Sequence, residues 1–82
     1  MDQMVYSPKS LGGALKRQRK AKKLSQKEAG DAFKIDQTTV SSIEQGASGT
    51  RLETLFRMLA ALDLEMIIRP KKNMITKKGE NW

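Results

Sequence analysis

The chain has 82 residues, which fits one small domain, and small domains bury little surface and lie close to the limit of stability. It contains neither Cys nor His, which excludes disulfides, thiolate zinc sites, cysteine nucleophiles and the commonest catalytic base. Sixteen Lys and Arg residues against nine Asp and Glu give a net charge of +7, which favours an anionic partner, most often nucleic acid. We therefore expect a binding protein that is not an enzyme and that needs no metal and no cofactor.

The positive charge is distributed unevenly along the chain. Residues 1–23 hold seven basic residues and one acidic, residues 24–50 hold two basic and four acidic, and residues 70–82 hold four basic and one acidic. No apolar run approaches the roughly 18 residues that a membrane span requires, and the first residues do not resemble a secretory signal. We expect a cytoplasmic, nucleoid-associated protein with one domain over residues 1–69 and a flexible basic tail over residues 70–82.

Capping signals predict where the first two helices begin. Ser7 is suited to accept a hydrogen bond from a free backbone N–H, and Pro8 fits the first helical position because it has no N–H to lose. Ser25 and Glu28 have the spacing of a capping box, in which each side chain accepts from the other residue's backbone N–H. The sequence therefore predicts two helices that start at these caps.

Two further helices and a strand are predicted after them. A short third helix runs from Gln37 to about Gln45, with Asp36 as its N-cap, and a fourth begins at a second capping box formed by Thr50 and Glu53. The fourth helix carries an apolar stripe at helical spacing: Leu52, Leu55, Phe56, Leu59 and Leu62. This stripe is predicted to be core or dimer surface.

The apolar pattern changes to alternation after the fourth helix. Leu64, Met66 and Ile68 alternate up to Pro70, which predicts a short strand. A lone strand leaves its backbone groups without partners, so this one needs either residues 4–6 of the same chain or a second copy of the chain.

The second and third predicted helices, joined by a tight turn, have the organisation of a helix-turn-helix. In this motif the second helix lies in the major groove and reads base edges with its outer face. That face here carries short hydrogen-bonding side chains, and Gln can bond both N6 and N7 of adenine. The candidate base-reading residues are Gln37, Thr38, Ser41 and Ser42.

Two segments resemble the Cro/C1 (Xre) helix-turn-helix family of phage and bacterial repressors: LSQKEA over residues 24–29 and IDQTTVSSIEQG over residues 35–46. The resemblance covers residues 7–62. Within that family, the Tyr-Ser-Pro entry at residues 6–8, the predicted strand after the fourth helix and a tail ending in Trp82 resemble the HipB-type antitoxins.

The resemblance implies an all-α, lambda-repressor-like domain of four to five helices, with the short C-terminal strand paired across a homodimer through Leu64, Met66 and Ile68. It also implies an autorepressor that binds double-stranded operator DNA and neutralises a HipA-type serine/threonine kinase toxin. By this resemblance, Gln37, Thr38 and Ser41 contact bases, and Gln26, Ser48 and Arg51 contact phosphates. Arg19 and Glu44 form a structural ion pair, and Trp82 anchors the chain to a protein partner.

Two positions depart from the family pattern. Lys34 stands where the family's turn usually has Gly, and Gly30 stands where the family usually has Ala. Asp36 lies beside the base-reading face, but its carboxylate would repel a phosphate, so we interpret it as a cap and not as a DNA contact.

Two alternative functions remain open. A stand-alone Cro/C1-type regulator without a toxin partner would have the same helix-turn-helix residues. A basic RNA-binding or adaptor module is disfavoured because one Trp, one Tyr and two Phe provide little surface for stacking on bases.

Overall fold

Four α-helices make up the part of the chain that the computed structural model describes, residues 2–71. They are α1 (Pro8–Ala21), α2 (Gln26–Asp31), α3 (Gln37–Glu44) and α4 (Leu52–Ala61). The predicted all-α fold is confirmed, and no helix within residues 2–71 is long and apolar enough to cross a membrane. The predicted basic tail beyond Lys71 and the predicted anchor Trp82 lie outside the described residues.

The first two helices begin at the predicted caps. Ser7 Oγ accepts from the backbone N–H of Ser10 at 3.0 Å, and Ser10 Oγ accepts from the backbone N–H of Ser7 at 3.1 Å. Ser25 Oγ accepts from the N–H of Glu28 at 3.0 Å, and Glu28 Oε1 accepts from the N–H of Ser25 at 2.8 Å. At each helix start, two backbone N–H groups therefore have side-chain partners close in sequence.

The starts of α3 and α4 differ from the prediction. Asp36 occupies the N-cap position of α3, but its side chain accepts no capping hydrogen bond. The capping box predicted at Thr50 and Glu53 is wrong, since α4 begins after Arg51, which makes no side-chain cap either. The Thr50 hydroxyl instead donates to the carbonyl oxygen of Ala47 at 3.4 Å, within the preceding turn.

The core is one apolar cluster to which all four helices contribute. Its buried members are Leu15, Ala29, Ile35, Val40, Ile43, Leu55, Met58, Leu59 and Leu62. The predicted stripe on α4 is divided between the core and the surface, because Leu52 and Phe56 are 68% and 52% exposed. One face of α4 therefore fills the core, and the adjacent face presents large apolar side chains to solvent.

The strand predicted around Leu64, Met66 and Ile68 is not present in the described residues. Residues 64–70 have no regular secondary structure, and their pairing with residues 4–6 of the same chain is also absent from the described part. No backbone hydrogen bond joins the two segments in the described residues, and Arg69 Nη2 lies 4.0 Å from Met4 Sδ. Because no backbone groups pair, the segment has no ladder, and the strand across a dimer stays a prediction.

Glycines allow close contacts with neighbouring backbone atoms at two places. A Cβ atom added to Gly12 would lie 2.6 Å from the carbonyl oxygen of Glu44 and would also collide with that of Ile43, so α1 touches the end of α3 with its backbone. A Cβ atom added to Gly30 would collide with the carbonyl oxygen of Ile35. The alanine that the family usually has at this position would therefore not fit here without a shift of the turn.

Replacing the adjacent glycines of α1 by alanine should have opposite effects. We expect Gly12→Ala to lower the free energy of unfolding by about 1–3 kcal/mol. The added methyl group would collide with backbone atoms of α3, and these can move only if the whole helix shifts. Gly13→Ala is the matched control, since its Cβ would have only Arg17 Nη1 nearby, at 3.6 Å. This control should raise the free energy of unfolding by about 0.5–1 kcal/mol through helix propensity.

Urea unfolding followed by circular dichroism measures both effects. Equal stabilisation by the two substitutions would contradict the close contact between α1 and the end of α3.

Candidate nucleic-acid interface

The turn between α2 and α3 is fixed by one strained residue and one buried residue. Lys34 has φ +59°, the left-handed conformation that costs a non-glycine residue roughly 1–2 kcal/mol. The next residue, Ile35, is buried, and its backbone N–H donates to the carbonyl oxygen of Gly30 at 2.9 Å. The turn thus keeps the left-handed geometry that the family usually gives to glycine, although the residue here is lysine.

Helix α3 buries one side and exposes the other. Val40 and Ile43 are in the core. Among the candidate base-reading residues, Gln37, Thr38 and Ser42 are exposed and Ser41 is half-buried. Positions 37 and 41, like positions 38 and 42, are one helical turn apart and therefore lie on the same face. The four side chains form a polar, uncharged surface along α3.

A buried ion pair holds the end of α3 against α1. Arg19 Nε donates to Glu44 Oε2 at 2.6 Å, and Arg19 Nη2 donates to Glu44 Oε1 at 2.9 Å. The two residues are only 7% and 8% exposed. Arg19 Nη1 also donates to the carbonyl oxygen of Leu24 at 2.8 Å, which fixes the connection from α1 to α2. The structure therefore brings together the two residues of the expected structural pair.

The start of α2 joins the same network. Gln26 Nε2 donates to Glu44 Oε1 at 3.1 Å. The sequence suggested Gln26 only as a phosphate contact, and its link to the ion pair was missed because the two residues are 18 positions apart. One hydrogen of its amide group is used by Glu44, and the other remains for a further partner.

The network shifts the pKa values of both charged groups. Burial alone would raise the pKa of Glu44, but the hydrogen bonds from Arg19 and Gln26, together with the positive charges of Arg19 and Lys16, outweigh it and hold that pKa below its ordinary value. The hydrogen bond to Glu44 raises the pKa of the Arg19 guanidinium. Both groups therefore stay charged at neutral pH.

The two remaining candidate phosphate contacts lie in the segment that joins α3 to α4. Ser48 and Arg51 are both exposed. Arg51 stands at the N-terminus of α4, where no side chain caps the first backbone N–H groups. Within residues 2–71, no group of three or more carboxylates converges in a way that could hold a metal ion.

Removing the charge of Glu44 should weaken the fold and change its response to acid. We expect Glu44→Gln to lower the free energy of unfolding at neutral pH by about 3 kcal/mol, because it leaves the buried Arg19 without a counter-charge. The folded pKa of Glu44 lies below the unfolded value of about 4.3. The wild-type protein therefore keeps this contribution above that pH and loses it as the pH falls through the lower folded value.

Urea unfolding at a series of pH values from neutral to about pH 3 tests the expectation. Glu53→Gln is the matched control, since that carboxylate pairs with Arg57 on the surface, at 3.2 Å, and should contribute little. Superimposable pH profiles for the wild type and Glu44→Gln would show that the buried pair does not contribute as described.

Comparisons with known proteins identify relatives over most of the chain. Residues 15–67 match a family model described as helix-turn-helix. Antitoxin HipB of Escherichia coli strain K12 is 35% identical over 71 residues, covering 87% of this chain and 81% of that protein. Antitoxin HipB of Escherichia coli O6:H1 is 33% identical over 78 residues, covering 95% of this chain and 83% of that protein. A solved chain described as belonging to a HipA-HipB-O2-O3 complex superposes with a TM-score of 0.81 at 34% identity, over 87% of this chain and 100% of that chain.

Proposed function

The chain belongs to the Cro/C1-type helix-turn-helix family, and on that basis we propose that it is a sequence-specific DNA-binding antitoxin that represses its own toxin–antitoxin operon. The observation that carries the proposal is the outer face of α3, which is polar and uncharged. The end of the same helix is held in place by the buried pair of Arg19 and Glu44. A rigidly held helix with hydrogen-bonding side chains on its outer face is suited to read base edges in the major groove.

Gln37, Thr38, Ser41 and Ser42 read bases in this proposal. Gln37 is exposed at the first position of α3, where its amide can bond N6 and N7 of adenine together. Ser41 Oγ accepts from Gln45 Nε2 at 3.0 Å, so its own hydroxyl hydrogen is left to donate to a base. The low charge of this face supports base reading, because charged contacts to phosphates position a protein but carry no sequence information.

Phosphate contacts come from residues at the two ends of the motif. Gln26 has one amide hydrogen left after its bond to Glu44, and that hydrogen can reach a phosphate oxygen. Arg51 and Ser48 are exposed at and before the N-terminus of α4, where the guanidinium and the hydroxyl can donate to phosphate oxygens. The basic excess of α1 adds long-range attraction to DNA but no sequence preference.

The protein acts as a homodimer in this proposal. Support comes from large apolar side chains that the described chain leaves exposed on α4 and the segment after it: Leu52, Phe56, Met66, Ile67 and Ile68. A second copy would cover them and would give the extended segment around Leu64, Met66 and Ile68 a strand partner. Two recognition helices related by a two-fold axis would fit major grooves about 34–36 Å apart on a pseudo-palindromic operator.

The second partner is a HipA-type serine/threonine kinase toxin. The proposal is supported by HipB relatives at 33% and 35% identity and by the HipB chain solved in a complex with HipA. The antitoxin would neutralise the kinase by contact, with Trp82 as an anchor in a pocket of the toxin. No reaction carried out by this chain is needed for that role.

Selection of binding sites from a randomised duplex library tests the DNA-binding function. We expect the wild type to enrich a pseudo-palindrome and Gln37→Ala to lose about tenfold or more in preference at one base pair of each half-site. Gln26→Ala should instead weaken binding to all sequences alike, because it removes a phosphate contact and no base contact, and should leave the salt dependence unchanged because the amide carries no charge. Gln3→Ala, which removes an exposed glutamine far from α3 in sequence, is the matched control and should change neither.

Equal binding to every duplex after the salt concentration is raised would contradict sequence-specific recognition. In that case only the phosphate attraction of a basic protein would remain.

A variant that lacks residues 73–82 tests whether the protein is an antitoxin or a stand-alone regulator. We expect the truncated protein to bind operator DNA as the full chain does and to bind the kinase at least about tenfold more weakly, since Trp residues dominate many interfaces. Trp82→Ala in the full chain is the finer variant, and Tyr6→Ala, which removes an exposed aromatic residue from the described part of the chain, is its control. Unchanged kinase binding by the truncated protein would remove the tail from the interface, and no kinase binding by the full chain would favour a stand-alone regulator.

A further inference from the structure

The carboxylate of Asp36 stands free at the leading end of the recognition helix. Its backbone has the extended geometry of an N-cap, with φ −64° and ψ 146°, yet its side chain accepts no hydrogen bond from the first turn of α3. Ser7 and Ser25, in the same position on α1 and α2, both do so. Asp36 is also exposed, and it forms no ion pair with any of residues 2–71. Neither a capping role nor a salt bridge accounts for it.

The fold holds this carboxylate beside the base-reading face. Asp36 directly precedes Gln37, and the residue before it is the buried Ile35, whose N–H bonds Gly30. The position of the Asp36 backbone is therefore set by the core and the turn, not by a mobile loop. In helix-turn-helix complexes, it is the N-terminal end of the recognition helix that meets the base edges.

The chemistry of an ionised carboxylate limits what it can meet in the major groove. It only accepts hydrogen bonds, so it is repelled by phosphates and by bases that present acceptors. Guanine presents the acceptors N7 and O6 in the major groove, and thymine presents O4. Adenine presents a donor beside an acceptor, which suits the amide of Gln37 better than a carboxylate. Cytosine alone presents a donor, its N4 amino group, without an acceptor beside it.

We propose that Asp36 is a specificity-determining residue that accepts a hydrogen bond from N4 of a cytosine in each half-site. The proposal rests on the proposed DNA-binding function and adds a reader to it. The selected base pair is C·G, next to the pair that Gln37 reads. The same carboxylate excludes guanine and thymine from that position, so it acts as much by rejection as by attraction.

Asp36→Asn tests the role without disturbing the fold. Asn has nearly the same shape, and the Asp36 side chain makes no capping hydrogen bond that the exchange could remove, so α3 keeps its start. Its amide can also donate, so it tolerates acceptors on the base. In a selection from a randomised duplex library, we expect the wild type to enrich cytosine at one position of each half-site. Asp36→Asn should lower the preference for cytosine there by about tenfold or more and leave the other positions unchanged.

Asp31→Asn is the matched control. It removes the same charge from the same helix-turn-helix, but its carboxylate lies at the end of α2, 2.9 Å from Lys27 Nζ. It should leave the base preferences as they are. Both variants lose a negative charge, so any general gain in affinity for DNA should be similar in the two and cancels when base preferences are compared.

The outcomes separate this inference from the function on which it rests. A wild type that selects a sequence without cytosine beside the base read by Gln37 overturns the role of Asp36 alone. The same follows if Asp36→Asn binds all sequences more tightly but keeps the wild-type preferences, because the carboxylate then acts only through its charge. A wild type that selects no sequence at all overturns the proposed function, and this inference with it.

Discussion

The arrangement of the helix-turn-helix depends on the buried contact between Arg19 and Glu44. A buried ion pair is weak support for stability by itself, because removing two charges from water costs about as much as their attraction returns. Its importance here is geometric. Both Glu44 oxygens and three guanidinium nitrogens have partners, and the network joins α1, the connection from α1 to α2, the start of α2 and the end of α3. One network therefore sets the relative positions of three helices.

The shape of α1 supports the same contact. At Gly12 the backbone of α1 lies directly against the last carbonyl groups of α3, where a side chain would force the helices apart. A larger separation would also lengthen the hydrogen bonds between Arg19 and Glu44, which are 2.6 and 2.9 Å long. Close packing and charge pairing therefore require each other here. The outer face of α3 is positioned by contacts on its inner side.

The sequence predicts features that depend on residues close together in the chain, such as helix caps. It does not predict contacts between groups that are far apart in the chain. The caps at Ser7 and Ser25 and the apolar periodicity suffice for the all-α fold and for the outer face of α3. The pairing of Arg19 with Glu44 followed only from family resemblance, since 25 residues separate them. Other features depended on which partner a group finds in space. Thr50 bonds the preceding turn instead of capping α4, and residues 64–69 find no strand partner within the described chain.

The division of α3 into a held face and a free face has a consequence for how such proteins diverge. The contacts that fix the helix involve Val40, Ile43 and Glu44, while Gln37 and Thr38 are exposed. Substitutions at exposed positions usually change stability by less than about 0.5 kcal/mol. A duplicated copy of this chain can therefore acquire a new operator through a few surface changes and still fold as before. Recognition and folding can evolve separately in this domain, because they use opposite sides of one helix.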